Sequence, residues 1–247
     1  INDVISQFYI EDGGLFCGLP KEKSEHISFD KWYSRYHGLT FKDIITPDTH
    51  TIWVNVDSPE IKEGTSRINL GEIDAINNVL KAIKLSDGKD EFDKWLEKFP
   101  IEEKQIGVVS FYGKQIQLIN KMIKENHNDL PIRLSTVDKF QGMERNIMIV
   151  SMVRSNKLAQ NIYQAEDFEI YPELGFEHQT SLGFAESPNR LNVALSRARR
   201  LLIIIGNADH FCKKEIYKNV YDTIEKNGKI INADTLKIEL ESHEQFS

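Results

Sequence analysis

Four arginines fall within eleven positions of the run RLNVALSRARRLLIIIGN, residues 190–207, and a continuous apolar stretch follows them at once. A guanidinium keeps its charge at any physiological pH and presents a planar fork of donors that matches phosphate or carboxylate oxygens. On a helix, at about 100° per residue, Leu191, Ala194, Leu195 and Ala198 form an apolar stripe at the i, i+3, i+4, i+7 spacing that faces a core. Arg190 and Arg197 then lie along one edge of that stripe, and Arg200 points nearly opposite, into solvent. An arginine at such an edge has its stem packed and its head group held, which suits stabilisation of phosphate charge. A solvated basic face, or an Arg–carboxylate pair supporting the helix, is the competing reading.

A core must position these residues. The 247 residues are 40% hydrophobic and 28% charged, enough for one large core with appendages. The runs TIWVNVD (51–57), IGVVSF (106–111), IRLSTV (132–137), NIMIVSMV (146–153) and LLIIIGN (201–207) predict strands. Helical spacing of apolar residues predicts helices over 66–85, 115–126, 190–200 and 208–227, with Asn69 as a cap for the first. Strands apolar from end to end that alternate with helices indicate a mostly parallel sheet covered on both faces. Ligands of such sheets sit outside the carboxyl ends of the strands, which points to residues 111–115, 135–144 and 154–156.

Around residues 51–228 the remainder reads as appendage. Residues 1–50 mix Phe8, Tyr9, Phe16, Phe29, Trp32, Tyr33 and Tyr36 with glycines and charges, and are expected as an irregular lead-in segment that packs on the core. Residues 86–104 read as a charged connection with a short helix around Trp95, and 229–247 as a peripheral tail. The stretch 157–182 reads as an insertion rich in acids (Glu166, Asp167, Glu169, Glu173, Glu177), with no direct contact to nucleic acid expected.

Composition excludes several classes. A net charge of −7 argues against a protein that coats nucleic acid by bulk electrostatics, so any such contact is local. Cys17 and Cys212 alone provide neither a disulfide framework nor zinc spacing, and a reducing, cytoplasmic setting is expected. No apolar run approaches a membrane span, and the N-terminus lacks the order of a signal peptide. The start at Ile1 without a methionine is expected of a fragment.

The segments STVDKFQGMERNIMIVSMVRSN (135–156) and GFAESPNRLNVALSRARRLLIIIGN (183–207) closely resemble the fifth and sixth motifs of superfamily 1 helicases, in the branch of the nonsense-mediated decay helicase and senataxin. IGVVSFYGKQIQLI resembles the fourth motif. ISQFYIEDGGL (5–15) is similar to the segment after the third-motif region, and SRINLGEIDAI (66–76) to the family's serine, asparagine and glutamate signature. The resemblance implies a RecA-like domain of the P-loop NTPase type, a three-layer α/β/α fold with a mostly parallel sheet. It further implies the second motor domain of an ATP-driven translocase, with ATP and Mg²⁺ held between it and a first RecA-like domain and single-stranded DNA or RNA running across both.

Residue by residue, Arg197 matches the sixth-motif arginine that reaches the γ-phosphate, where a pre-placed guanidinium stabilises charge on the transferring phosphoryl group. Arg190 matches a second arginine of that motif, a support or phosphate contact. Gln141, Gly142 and Glu144 match the fifth motif's nucleotide-binding Gln-Gly-x-Glu; a tight turn with Glu144 paired to Arg145 or another surface base is the alternative. Ser135, Thr136 and Asp138, with Ser110, Tyr112 and Gln115 of the fourth motif, are the nucleic-acid-track candidates. Thr136 capping its turn, and Tyr112 packed rather than stacked on a base, remain open readings. Arg154 is expected either to pair with an acid inside the domain or to approach nucleic acid.

Asn146 stands where relatives commonly have aspartate, Asn189 where they have a second arginine, and Ser196 where threonine is usual. The arginine that relatives carry just before the segment starting at Ile1 is missing. No G-x-x-x-x-G-K-[ST] loop and no strand ending in an Asp-Glu pair occurs, so the chain alone is expected to be a poor ATPase, and metal ligands are not expected from it. A non-catalytic RecA-like module that binds nucleic acid or protein is the alternative.

Overall fold

The computed structural model describes residues 1–11, 13, 15, 37–88, 104–170 and 175–246. From the N-terminus its elements are α1 (Asn2–Ser6), β1 (Thr51–Asn55), β2 (Glu60–Glu63), β3 (Ser66–Ile68), α2 (Leu70–Leu85), β4 (Ile106–Ser110), α3 (Gly113–Asn126), β5 (Ile132–Thr136) and β6 (Arg145–Ser151). There follow β7 (Lys157–Ala159), α4 (Ile162–Ile170), β8 (Glu177–His178), α5 (Pro188–Leu195), β9 (Ala198–Gly206), α6 (Ala208–Phe211), α7 (Glu215–Asn227), β10 (Lys229–Asn232) and α8 (Ala233–Phe246). The main sheet has the order β10-β1-β9-β6-β4-β5, and every pairing in it is parallel.

The strand side chains alternate between two apolar layers, as a sheet covered on both faces requires. Ile52, Val54, Val108, Ile147, Ile149, Ile203 and Ile205 enter one layer, where Ile76 and Leu80 of α2, Ile119 and Ile123 of α3, and Leu236 and Leu240 of α8 meet them. Trp53, Val109, Met148, Val150, Leu202 and Ile204 enter the other, against Val4 of α1, Leu191 and Leu195 of α5, and Tyr217, Val220 and Ile224 of α7. Each fully buried aliphatic side chain contributes about 1.5–3 kcal/mol. The three-layer α/β/α architecture with a parallel sheet is the expected one. The Asn69 side chain accepts from the Glu72 N–H at 3.0 Å and caps α2, worth about 1 kcal/mol.

Five departures separate the structure from these expectations. The arginine helix stops at Leu195, because the β-branched run behind it is drawn into β9; Ala198 and Arg200 are therefore strand residues. Arg200 is buried rather than solvent-facing; its Nε donates to Asn146 Oδ1 at 3.3 Å, and burial pulls its guanidinium down to about 10. Residues 60–68 form an antiparallel hairpin instead of leading directly into α2. The stretch 157–182 contributes β7 and β8, which join this hairpin in a second sheet ordered β3-β2-β7-β8 around Ile61, Ile68, Ala159 and Ala165. Residues from 229 onward, expected as a peripheral tail, supply the edge strand β10 and bury Leu236 and Leu240 of α8. The expected helix around Trp95, and Phe16, Phe29, Trp32, Tyr33, Tyr36 and Glu173, lie outside the described residues.

Candidate functional site

The parallel sheet has two rims, and the structure divides the candidate residues between them. Arg197 lies just before β9 and Glu144 just before β6, so both sit at the amino rim; the expectation of a site at the carboxyl rim does not hold for them. The two segments adjoin: the Arg145 N–H donates to the Arg197 carbonyl at 2.9 Å, and Arg145 and Ala198 are register partners. The Arg197 guanidinium is held by neutral acceptors, with Nε donating to the Val193 carbonyl at 3.0 Å and Nη2 to Ser196 Oγ at 2.8 Å. No carboxylate among the described residues lies within salt-bridge distance of it. A guanidinium fixed in this way keeps its whole charge for an anion brought from outside.

Beside it, Gln141 and Gly142 form the exposed turn leading into β6. Gly142 has φ +79°, which an L side chain adopts at a cost, and open space surrounds the position of an added Cβ. Glu144 pairs with Arg199 at 3.1 Å, both half-exposed, a contact worth at most about 1 kcal/mol. The surface base it meets is Arg199 rather than Arg145; Arg145 Nη1 donates instead to the Glu144 carbonyl at 2.6 Å.

Helix α5 connects the rims. Arg190 stands in its first turn, whereas Arg197 lies two residues beyond its last residue, Leu195. Arg190 Nε pairs with Asp138 at 3.2 Å, and its guanidinium lies 5.2 Å from the centre of the Phe184 ring. Asp138 opens the 3₁₀ turn Val137–Phe140 that runs from the tip of β5 towards β6. Thr136, at that tip, makes no side-chain cap bond, so the capping alternative fails; Ser135 is buried.

At the carboxyl rim the fourth-motif candidates are interior. Tyr112 is packed: its hydroxyl accepts from Arg154 Nη1 at 3.4 Å and its ring lies 5.2 Å from that of Phe184. Ser110 is fully buried, and its hydroxyl has no partner among the described residues. Gln115, expected on the nucleic-acid track, is instead a structural clamp. Its Oε1 accepts from the Asn69 N–H and its Nε2 donates to the Asn69 carbonyl, both at 3.0 Å, and to Ser151 Oγ at 3.1 Å. A side chain with its amide so fully used inside a core has nothing left to offer a phosphate.

Two buried carboxylates organise this rim: Glu72, the glutamate of the signature in SRINLGEIDAI, and Glu60, which no sequence pattern singled out. Glu72 accepts from Ser151 Oγ at 2.6 Å and from the Val153 N–H at 2.7 Å. Burial pushes its carboxyl up to about 8, against the pull of those two hydrogen bonds. Together with Asn69, whose Nδ2 donates to the Val153 carbonyl at 3.3 Å, it fixes Val153 at φ +71°, a strained conformation for a β-branched residue. Glu60, also fully buried, binds Arg154 Nε at 2.7 Å, the Ser155 N–H at 2.9 Å and Arg67 Nε at 3.1 Å. Arg154 therefore pairs with an acid inside the domain. Burial pulls its guanidinium down, and the Glu60 bonds outweigh that and hold it above its usual range.

The sequence has counterparts among known proteins. A family model described as an AAA domain matches residues 7–209. The chain belongs to this AAA-domain family, in its superfamily 1 helicase branch. Among its relatives, the DNA polymerase alpha-associated DNA helicase A of Saccharomyces cerevisiae is 29% identical over 188 residues, 72% of this chain and 22% of that protein. The putative helicase mov-10-B.1 of Danio rerio is 34% identical over 165 residues, 63% of this chain and 14% of that protein. The probable helicase senataxin of Homo sapiens is 28% identical over 178 residues, 72% of this chain and 6% of that protein. The chain thus spans under a quarter of the length of each of these. No helix among the described residues is long and apolar enough to cross a membrane.

Proposed function

We propose that this chain is the second RecA-like motor domain of an ATP-dependent superfamily 1 helicase or translocase. The observation that carries the reading is Arg197. It is anchored by a backbone carbonyl and a hydroxyl, is not neutralised by any described carboxylate, and adjoins the open Gln141-Gly142 turn. In this reading Arg197 is the arginine finger, and Gln141, Gly142 and Glu144 approach the nucleotide. ATP supplies the phosphoryl group whose charge the guanidinium stabilises.

The amino rim fits a share of such a site and no more than a share. Among the described residues no cluster of His, Cys, Asp or Glu could hold a metal ion, so ligands for Mg²⁺ would come from a first RecA-like domain of the same protein. Arg190, half-exposed and paired among the described residues to the exposed Asp138, and Thr136, whose hydroxyl makes no cap bond, are the accessible track residues for single-stranded DNA or RNA. Ser110 and Gln115 support that track from inside.

The test is ATP turnover by the intact protein in the absence and presence of single-stranded DNA and RNA oligonucleotides. Turnover stimulated by either strand is expected. Oligonucleotide binding without any turnover would instead favour a non-catalytic binding module.

A further inference from the structure

Phe184 is 51% exposed, although its neighbours Leu182 and Ala185 are buried. Its turn, Gly183–Glu186, is held from several sides. The Ala185 carbonyl accepts from the Tyr217 hydroxyl, and Glu186 pairs with Lys214 at 2.6 Å. Gly183 has φ +56° and lies against Arg154 and Tyr112 so closely that an added Cβ would collide with both. The turn buries its flanking apolar residues yet leaves half of this one aromatic ring in solvent, so part of its apolar surface stays unburied. The ring is also furnished: the Arg190 guanidinium lies 5.2 Å from its centre, Tyr112 supports it at 5.2 Å, and Arg190 reaches Asp138, two residues beyond Thr136 at the tip of β5.

We propose that Phe184 is a stacking platform for one base of the single strand, with Arg190 placed for the adjoining phosphate. The inference rests on the helicase reading above. It adds a base-contacting residue at a position where the fourth-motif aromatic, Tyr112, is packed and unavailable. An exposed ring with a cation beside it matches a nucleotide, an aromatic base joined to a phosphate, better than it matches an apolar protein surface. Every base has a π-face, so the contact is indifferent to sequence, as translocation along a strand requires.

The test titrates the intact protein with oligothymidylate and with an abasic strand of equal length. Wild type is expected to prefer the strand with bases by about fivefold to a hundredfold. Phe184→Ala abolishes that preference while keeping the salt dependence set by phosphate contacts, and Phe184→Trp restores it. Salt-dependent wild-type binding that ignores the bases, or a preference unchanged in Phe184→Ala, overturns this inference and leaves the motor-domain reading standing. Absence of any oligonucleotide binding by wild type overturns both. Loss of ATP turnover by the intact protein in Phe184→Ala at unchanged base preference marks the ring as a protein contact, and likewise overturns the inference.

Discussion

Glu60→Ala removes one carboxylate and strands several donors. The Glu60 side chain accepts from Arg154 Nε at 2.7 Å, Gln179 Nε2 at 2.8 Å, the Ser155 N–H at 2.9 Å and Arg67 Nε at 3.1 Å. Arg67 is partly exposed and turns to water. Arg154, only 6% exposed, is left as a charge without its counter-ion, and the buried Ser155 N–H loses its acceptor. Breaking a buried pair in this way costs about 3–5 kcal/mol, and an unsatisfied buried N–H adds at least about 1 kcal/mol. A total near 4–6 kcal/mol is a large share of the roughly 5–15 kcal/mol that holds a domain together. Urea unfolding monitored by circular dichroism measures the loss. Because most of it is the stranded charge, Glu60→Ala combined with Arg154→Met is expected to recover at least about 2 kcal/mol relative to Glu60→Ala alone. A loss below about 1 kcal/mol, or no recovery in the double variant, would refute the description of this pair as a buried clamp between the two sheets.

The other predictions concern the same rim. With its carboxyl at about 8 in the folded chain against 4.5 ordinarily, Glu72 binds its proton more tightly when folded. Its contribution is therefore complete below about pH 4.5 and is lost as pH rises through 8, with a slope of up to about 1.4 kcal/mol per pH unit. The stability advantage of wild type over Glu72→Gln, read from urea midpoints, should shrink between pH 5 and 8; a constant difference would contradict the burial of this group. His37, His127 and His210, each lowered to about 4 by burial, act in the opposite direction below pH 6.5 and cancel in that comparison. Gln115→Ala leaves the Asn69 N–H and carbonyl unsatisfied and should cost about 2–4 kcal/mol. Oligonucleotide affinity, measured on the folded fraction, should stay within about twofold of wild type; a loss beyond tenfold at unchanged stability would return Gln115 to the track.

The sheet was legible because its strands are apolar on both faces, and IGVVS, NIMIVS and LLIIIG admit few other structures. Asn69 was legible as a cap because a short polar acceptor before an apolar-periodic run has one common use. What composition could not show was which side of the sheet a loop residue occupies. Arg190 and Arg197 share an edge on a helix that continues to residue 200, but the helix ends at Leu195, and the two arginines serve opposite rims. Gln115 carries the same side chain whether it faces phosphate or Asn69; only the tertiary placement of α2 against α3 decides. Glu60 sits in a short charged strand, EIKE, whose burial depends on β7 from nearly a hundred residues away. Phe184 stood within a motif, yet its exposure follows from the left-handed Gly183 and the anchoring of Ala185.

The placement of an unneutralised guanidinium at the amino rim is tested most directly by single-turnover ATP hydrolysis in the intact protein carrying Arg197→Ala. A fall of about 10³–10⁵ in the hydrolysis rate is expected, with single-strand affinity retained, and Arg197→Lys should not restore the rate because an ammonium lacks the planar fork. Hydrolysis at the wild-type rate in Arg197→Ala would contradict the assignment.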